Sequence, residues 1–374
     1  MPRTPSKSKK AEVLSTAKQV RNREQVEPEK EERRVYFPTG STLLNLAVSD
    51  DAFGGWGSGK IINLVGDSNT GKTLLALTGL MEMAIDEQYS DHLLIYDDAE
   101  NALEMDVRGM FGDQLSDRLQ DPYGNLYGSE EFRSSETIED VRNNLWRLLE
   151  EGTPFLYVLD SYDAVTSRDE IKRQEQENKG KEQNKDYPRG PAILSETLRK
   201  TKSKLKFADS GFLVISQTRD EMNPMTFGAQ KRRAGGKALK FYSSHEVWLA
   251  VGKGGQIKKT VRKKSYTIGW NIIAKSARSK LNGKKRDVPI VCYTKHGVDD
   301  ISANIEWLLS VGYWTGSRNS INSKGFCKEN KSMQDLILWT ESHNKEETLK
   351  VIVEKEWQKI ESELSVTRKK RFEK

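Results

Sequence analysis

Eight consecutive residues carry the clearest chemistry in this chain: Gly66-Asp67-Ser68-Asn69-Thr70-Gly71-Lys72-Thr73. Two glycines bracketing four residues, followed by Lys and Thr, let backbone N–H groups close around phosphate oxygens. A helix starting directly behind them adds the positive end of its dipole. In such a loop Lys72 reaches the β- and γ-phosphates of a nucleoside triphosphate, and the Thr73 hydroxyl holds Mg²⁺. The flanks agree with this reading: 61–65 is a short apolar run of strand type, and 72–87 has a helical pattern.

Three further apolar runs end in polar groups that could serve the same ligand. Residues 155–159 lead into Asp160, placed to hold Mg²⁺ together with Thr73. Residues 93–96 lead into Asp97, Asp98 and Glu100. Glu100 could orient an attacking water as a general base, or could cap a helix. Residues 212–215 lead into Ser216 and Gln217. The Gln217 amide could sense the γ-phosphate and signal to the segment after it, or could simply bond the backbone.

These runs alternate with helical patterns at 72–87, 135–151 and 192–207. Continuous apolar strands separated by helices imply an α/β fold, with a mostly parallel central sheet flanked by helices. In that arrangement the strand ends share one ligand edge. The later runs, 247–251, 270–274 and 289–293, lie close together between Gly-rich and basic turns and read as antiparallel. A short helix over 43–47 is expected after Ser41 as its N-cap.

Residues 1–35 are charged, with few large apolar side chains, and read as a tail or docking arm. Residues 36–315 form the expected core and 316–374 a small C-terminal helical module. Within the latter, 315–331 reads as a polar linker, followed by an apolar stripe of Leu349, Ile352, Val353, Trp357, Ile360 and Leu364. Two polar stretches, 167–190 and 219–236, are long for a compact domain and read as functional loops.

Of 374 residues, 31% are charged and 35% hydrophobic, for a net charge of +6. No apolar run reaches the ~18 residues a membrane-spanning helix needs. Cys292 and Cys327 are the two cysteines, too few for a disulfide framework, and the expected compartment is a reducing cytosol. The four histidines lack metal-ligand spacing. Charge is unevenly spread: 199–286 contains 23 Lys and Arg against 4 Asp and Glu, so the rest of the chain is net acidic. Such asymmetry suits a polyanionic partner on one face, or a solvated basic surface.

In this order the elements resemble the RecA family of DNA recombinases. The likeness runs from Thr39-Gly40-Ser41 through the phosphate loop, DAENAL (98–103), LDS (159–161) and ISQTRD (215–220). It is most distinctive in GGKALKFYSS (235–244). The resemblance implies ATP and Mg²⁺ as ligands, Glu100 as catalytic glutamate, Gln217 as γ-phosphate sensor, and self-association into a helical filament on single-stranded DNA that samples homologous duplex. It places Lys240 and Phe241 where nucleotide is coupled to the neighbouring subunit. Lys275 falls near a lysine pair acting in trans, whose second member is Ala277, Arg278 or Lys280.

The resemblance also makes 167–190 and 219–236 the two DNA-binding loops. In the second, Arg219, Lys231, Arg232 and Arg233 can pair with phosphates, while Met222, Met225 and Phe227 can wedge between or stack on bases. Residues 258–264 form another basic cluster, able to touch nucleic-acid backbone or a secondary duplex, though such a run more often stands solvated on a hairpin. Asn101 and Val107 depart from the residues common in the family. A ring-forming helicase-type motor and an ATP-binding recombination mediator are the alternatives.

Overall fold

The computed structural model describes residues 35–178, 190–221, 230–233 and 236–368. Met222, Met225 and Phe227 lie outside them. Strand β1 (Tyr36–Phe37) pairs antiparallel with β2 (Trp56–Gly57), and α1 (Thr42–Ser49) lies between them in sequence. The Ser41 side chain caps α1 by accepting from Leu44 N, as its position before the apolar run suggests. Residues 42–48 are all buried, so α1 is a core helix.

The sheet-forming chain then runs β3 (Ile61–Gly66), α2 (Lys72–Ile85), β4 (Leu93–Asp98), two short helices α3 (Val107–Phe111) and α4 (Asp113–Ser116), and β5 (Leu119–Gln120). It continues through α5 (Ile138–Glu151), β6 (Phe155–Asp160), α6 (Arg168–Asn178), α7 (Gly190–Phe207) and β7 (Gly211–Glu221). After these come β8 (Gln230–Arg233), α8 (Gly236–Tyr242), β9 (His245–Val261), β10 (Lys264–Ser279), β11 (Asp287–Tyr293) and β12 (Gly297–Val298). The C-terminal part contains α9 (Asp300–Ser310), β13 (Thr315–Ser317), β14 (Ser320–Asn322), α10 (Met333–Ser342) and α11 (Glu346–Glu363).

The main sheet has the order β12-β11-β10-β9-β3-β7-β6-β4-β5, with β8 paired to β7. From β9 to β5 the pairings are parallel. β10, β11 and β12 are antiparallel to their neighbours, as their close spacing implies. Every residue of β3 and β6 is buried, the physical reason their sequences are continuous apolar runs. Ile138, Val141, Leu145 and Leu148 of α5 and Leu194, Leu198 and Leu205 of α7 share one core cluster with Ile61, Tyr157, Leu159, Phe212 and Val214. A capping box, Thr137 with Asp140, starts α5, and Gly152 in the left-handed region (φ 77°) ends it.

Two segments differ from their sequence reading. Residues 168–178 of the first polar stretch are helical, because Ser167 and Glu170 form a capping box. The Glu170 carboxylate accepts from Ser167 N (3.0 Å) and Thr166 Oγ1 (2.8 Å), and Ser167 Oγ accepts from Glu170 N (3.3 Å). The stretch 315–331, read as a linker, carries the β13–β14 hairpin, with Trp314 and Ile321 buried beside it. Of the α11 stripe, Leu349, Val353 and Trp357 are buried, but Leu364 is 64% exposed, since the helix has ended before it.

Helix α11 is tied back to the rest. Lys350 Nζ lies 3.1 Å from Glu82 of α2, Trp357 Nε1 donates to Asp50 Oδ1 (3.2 Å), and Arg286 brackets Glu361 at 2.6 and 2.8 Å. The C-terminal end of α2 has no basic residue in its last turn and is satisfied from elsewhere. Arg118 donates to the carbonyls of Met83, Ala84, Tyr89, Ser90 and His92 at 2.7 to 3.3 Å. A planar fork can serve several carbonyls at once and an ammonium cannot. Arg118→Lys is therefore expected to lower unfolding free energy by about 2 kcal/mol, read by urea denaturation; an unchanged midpoint would remove Arg118 as the anchor of this helix end.

Candidate nucleotide site

Four neighbouring strand ends build the site. β3 ends at Gly66, directly opposite Gln217 of β7, and Asp98 of β4 is opposite Asp160 of β6. The loop from β3 to α2 is tightly closed. A Cβ on Gly66 would come within 2.5 Å of Thr70 Oγ1 and 2.8 Å of the Leu249 carbonyl, so only glycine fits. Gly71 takes φ 76° at the N-cap of α2, and no side chain caps that helix. The first N–H groups of α2 thus have neither an intrahelical acceptor nor a capping side chain, the usual state of an anion-binding helix start.

Lys72 is nearly buried, and its Nζ donates to the Asp67 carbonyl at 2.7 Å. Burial lowers its pKa, while the carboxylates of Asp160, Glu100, Asp67 and Asp163 oppose that shift. Asp160 is 5% exposed, and burial pushes its pKa up. Its Oδ2 accepts from Thr73 Oγ1 (2.5 Å) and Tyr96 OH (2.8 Å), which favour the ionised form.

Glu100 stands just past β4. Its Oε1 accepts from Gln217 Nε2 at 2.7 Å and from Ser161 Oγ, and its backbone N–H donates to the Asp160 carbonyl at 3.2 Å. The peptide between Asp160 and Ser161 is cis. Gln217 N donates to Asp163 Oδ2 at 2.7 Å, and Thr218 Oγ1 donates to Asp67 Oδ1 in the loop. Hydrogen bonds and the peptide from Gln217 to Thr218 therefore link loop, carboxylates and the β7 end. Tyr96, Asp163 and Thr218 were not singled out from sequence. Tyr96 is a strand-interior aromatic, and the other two follow strand ends whose preceding residues drew the reading.

Several groups here suit a triphosphate with Mg²⁺: a glycine-closed loop, an uncapped helix start, a buried lysine, and a hydroxyl paired with a buried carboxylate. Mg²⁺ takes one or two protein oxygens and completes its shell with phosphate and water.

A second group lines a groove that shares Tyr162, the residue between Ser161 and Asp163. Lys240, Phe241 and Arg278 line a groove of about 1130 Å³ with Tyr162, Lys202 and Lys280. Phe241 is 72% exposed, and Arg278 Nη1 donates to the Lys240 carbonyl at 2.5 Å. Burial lowers the Lys280 pKa, helped by Lys202, Arg278 and Lys60. Lys275 is exposed on β10 and does not line the groove. Arg219 and Lys231, Arg232 and Arg233 are paired through their backbones, β7 to β8, with Arg219 opposite Arg232. Val107 is fully buried and offers no surface to a base.

Removing the Tyr96 hydroxyl takes away a donor that holds the Asp160 pKa down. In Tyr96→Phe the Asp160 carboxylate protonates at higher pH, so the acid limb of Mg²⁺-dependent nucleotide binding should move upward in pH. A titration of ATP binding with and without Mg²⁺ reads this; a limb that stays in place would separate Asp160 from the metal.

Residues 23–299 match the family model described as the RecA N-terminal domain. A curated relative named Protein RecA, from Thermus thermophilus, is 27% identical over 276 residues, covering 74% of this chain and 72% of its own. The Aquifex aeolicus relative of the same name is 27% identical over 281 residues, covering 75% and 72%. A Protein RecA from a Caulobacter species is 27% identical over 331 residues, covering 88% and 83%. The family match spans the whole nucleotide edge and its supporting strands, and the chain belongs to the RecA family.

Proposed function

We propose that this chain is an ATP-dependent homologous recombinase, which assembles as a helical filament on single-stranded DNA, samples homologous duplex and exchanges strands. Residues 36–315 are its ATPase core, 316–374 its C-terminal helical module and 1–35 a docking arm, working in the cytosol of a bacterium or phage-infected cell. The observation that carries the reading is the bond from Gln217 Nε2 to Glu100 Oε1. It joins the candidate hydrolytic carboxylate to the strand that leads into 219–236, the second candidate DNA loop.

In this reading the loop 66–73 and Lys72 bind the phosphates, and Thr73 and Asp160 hold Mg²⁺. When bound, the metal neutralises phosphate charge. Glu100 orients a water and accepts its proton, and it is withheld from that task while Ser161 and Gln217 bond it. Gln217 turns to the γ-phosphate when ATP is present, and so exchanges one partner for another at the root of β7. Lys240, Phe241, Lys275 and Arg278 meet the adjoining protomer. Basic residues Arg219, Lys231, Arg232 and Arg233 take DNA phosphates, and Met222, Met225 and Phe227 separate or stack bases. Backbone contacts of this kind bind without reading sequence, so homology is left to base pairing.

Glu100→Gln is expected to retain ATP and DNA binding and to lose turnover by a factor on the order of 10²–10⁴, the usual contribution of a general base. Unchanged phosphate release in a coupled assay would sink that role. Replacing Lys231, Arg232 and Arg233 with Ala should weaken single-strand binding and flatten its log–log salt dependence by about 2. An unaltered slope would take β8 off the DNA path. Electron microscopy with single-stranded DNA and a slowly hydrolysed ATP analogue tests the assembly: nucleotide-dependent extended filaments support the proposal, and closed rings replace it with a motor.

A further inference from the structure

β9 and β10 run on past their neighbours. β9 pairs with β3 only as far as Leu249, and β10 pairs with β11 only from Gly269 onward. Beyond those points they pair with each other alone, from Lys258↔Thr267 to Val261↔Lys264. The change comes at a wide bulge in which residues 252–255 face the single residue Asn271. A Cβ on Gly255 would meet the Gly252 carbonyl at 2.6 Å and the Asn271 carbonyl at 2.8 Å, so the bulge depends on glycine. A two-stranded ribbon of this kind has no third strand to support it.

Its surface is cationic. Lys258, Lys259, Arg262, Lys263 and Lys264 are all exposed, and the sequence has no Asp or Glu between Glu246 and Asp287. Among the described residues none of the five forms an ion pair. The register places Lys259 and Lys264 on one face with Val261 and Tyr266, and Lys258 on the other with Thr260, Ser265 and Thr267. Lys264 Nζ lies 5.7 Å from the Tyr266 ring centroid.

The turn itself is unusual. Arg262 (φ 48°) and Lys263 (φ 64°) both occupy the left-handed region, as a two-residue turn with paired positive φ requires. Asn-Gly would adopt it with less steric conflict. Two cations thus stand at the tip where local conformational preference opposes them, among three like charges that repel them. Both features make sense if a polyanion is met there.

We propose that this ribbon is a contact surface for duplex DNA, with its cations paired to phosphates on both walls of a groove. The major groove is about 12 Å wide and admits a two-stranded ribbon. Cations on both faces and at the tip suit two phosphate rows, whereas a single strand offers one. The ribbon continues β9 past the sheet edge where β3 ends, Gly66 being opposite Leu249, and the inference does not depend on strand exchange.

The test replaces Arg262 with Asn and Lys263 with Gly in the full chain, which removes two charges and leaves a turn that folds more readily. Binding to a short blunt duplex and to a single strand of equal length is followed by fluorescence anisotropy across a salt series. Duplex binding is expected to weaken roughly tenfold, with a salt slope shallower by about 2. Single-strand binding and single-strand-dependent ATP turnover should stay as they are, and the melting temperature should not fall. A Lys258→Gln, Lys259→Gln variant should give the same selective loss from the strands instead of the turn. Unchanged duplex affinity and slope in both variants would overturn the proposal, as would an equal loss on single strand and duplex. If the unaltered chain shows no DNA-dependent turnover, the recombinase reading fails while this comparison still reports on the ribbon.

Discussion

Everything at the nucleotide edge depends on keeping charged groups ionised where water is largely excluded. Lys72 is nearly buried with carboxylates of Asp160, Glu100, Asp67 and Asp163 acting on it, and its pKa is still lowered by burial. Asp160 is buried with only hydroxyl donors directly on its Oδ2. Such groups are tolerated because each is hydrogen-bonded and because opposite charges lie close enough to offset desolvation. The arrangement is held at parallel strand ends, whose backbones cannot shift separately. Gly66 opposite Gln217 and Asp98 opposite Asp160 are fixed by the same ladders that hold the core.

That constraint explains how a small change at the ligand could reach a distant surface. Hydrogen bonds join Glu100, Ser161, Gln217 and Asp163, and the peptide from Gln217 to Thr218 carries the path on to Asp67 of the phosphate loop. A nucleotide that draws Gln217 away removes one link, and β7 carries the consequence outward because it continues to Glu221 and pairs with β8. Helix α2 is anchored at its far end by Arg118 and by the Glu82–Lys350 pair.

The basic half of the molecule is laid out differently. Arg278, Lys280, Lys240 and Lys202 line one groove, where burial lowers the Lys280 pKa with Lys202 and Arg278 adding to the shift. The cations of the β9–β10 ribbon stand fully in solvent. Cations gathered around a groove favour a partner that fits the groove and brings negative charge. Solvated cations spread on a ribbon favour a hydrated polyanion, whose binding is governed by counterion release. The same net charge therefore serves two kinds of surface.

The sequence by itself determined the α/β class, the parallel strands and the phosphate loop, because buried parallel strands must be continuous apolar runs and a phosphate cradle needs glycines at set positions. It also singled out Glu100, Asp160 and Gln217, since each stands within four residues of the end of such a run and matches a motif of the family. What only the tertiary structure decided was pairing. Tyr96 bonded to Asp160, and Thr218 to Asp67, depend on which strands are neighbours, and nothing local records that. The helix at 168–178 was written in Ser167 and Glu170 as a capping box, but an almost wholly polar stretch gave no apolar face to draw attention to it. The groove around Phe241 joins residues about 120 positions apart in sequence, from Tyr162 to Lys280, which pack together only once β10 has crossed back beside α8. Local chemistry sets what a residue can do. The sheet order sets which residues do it together, because hydrogen-bonded neighbours in space are seldom neighbours in the chain.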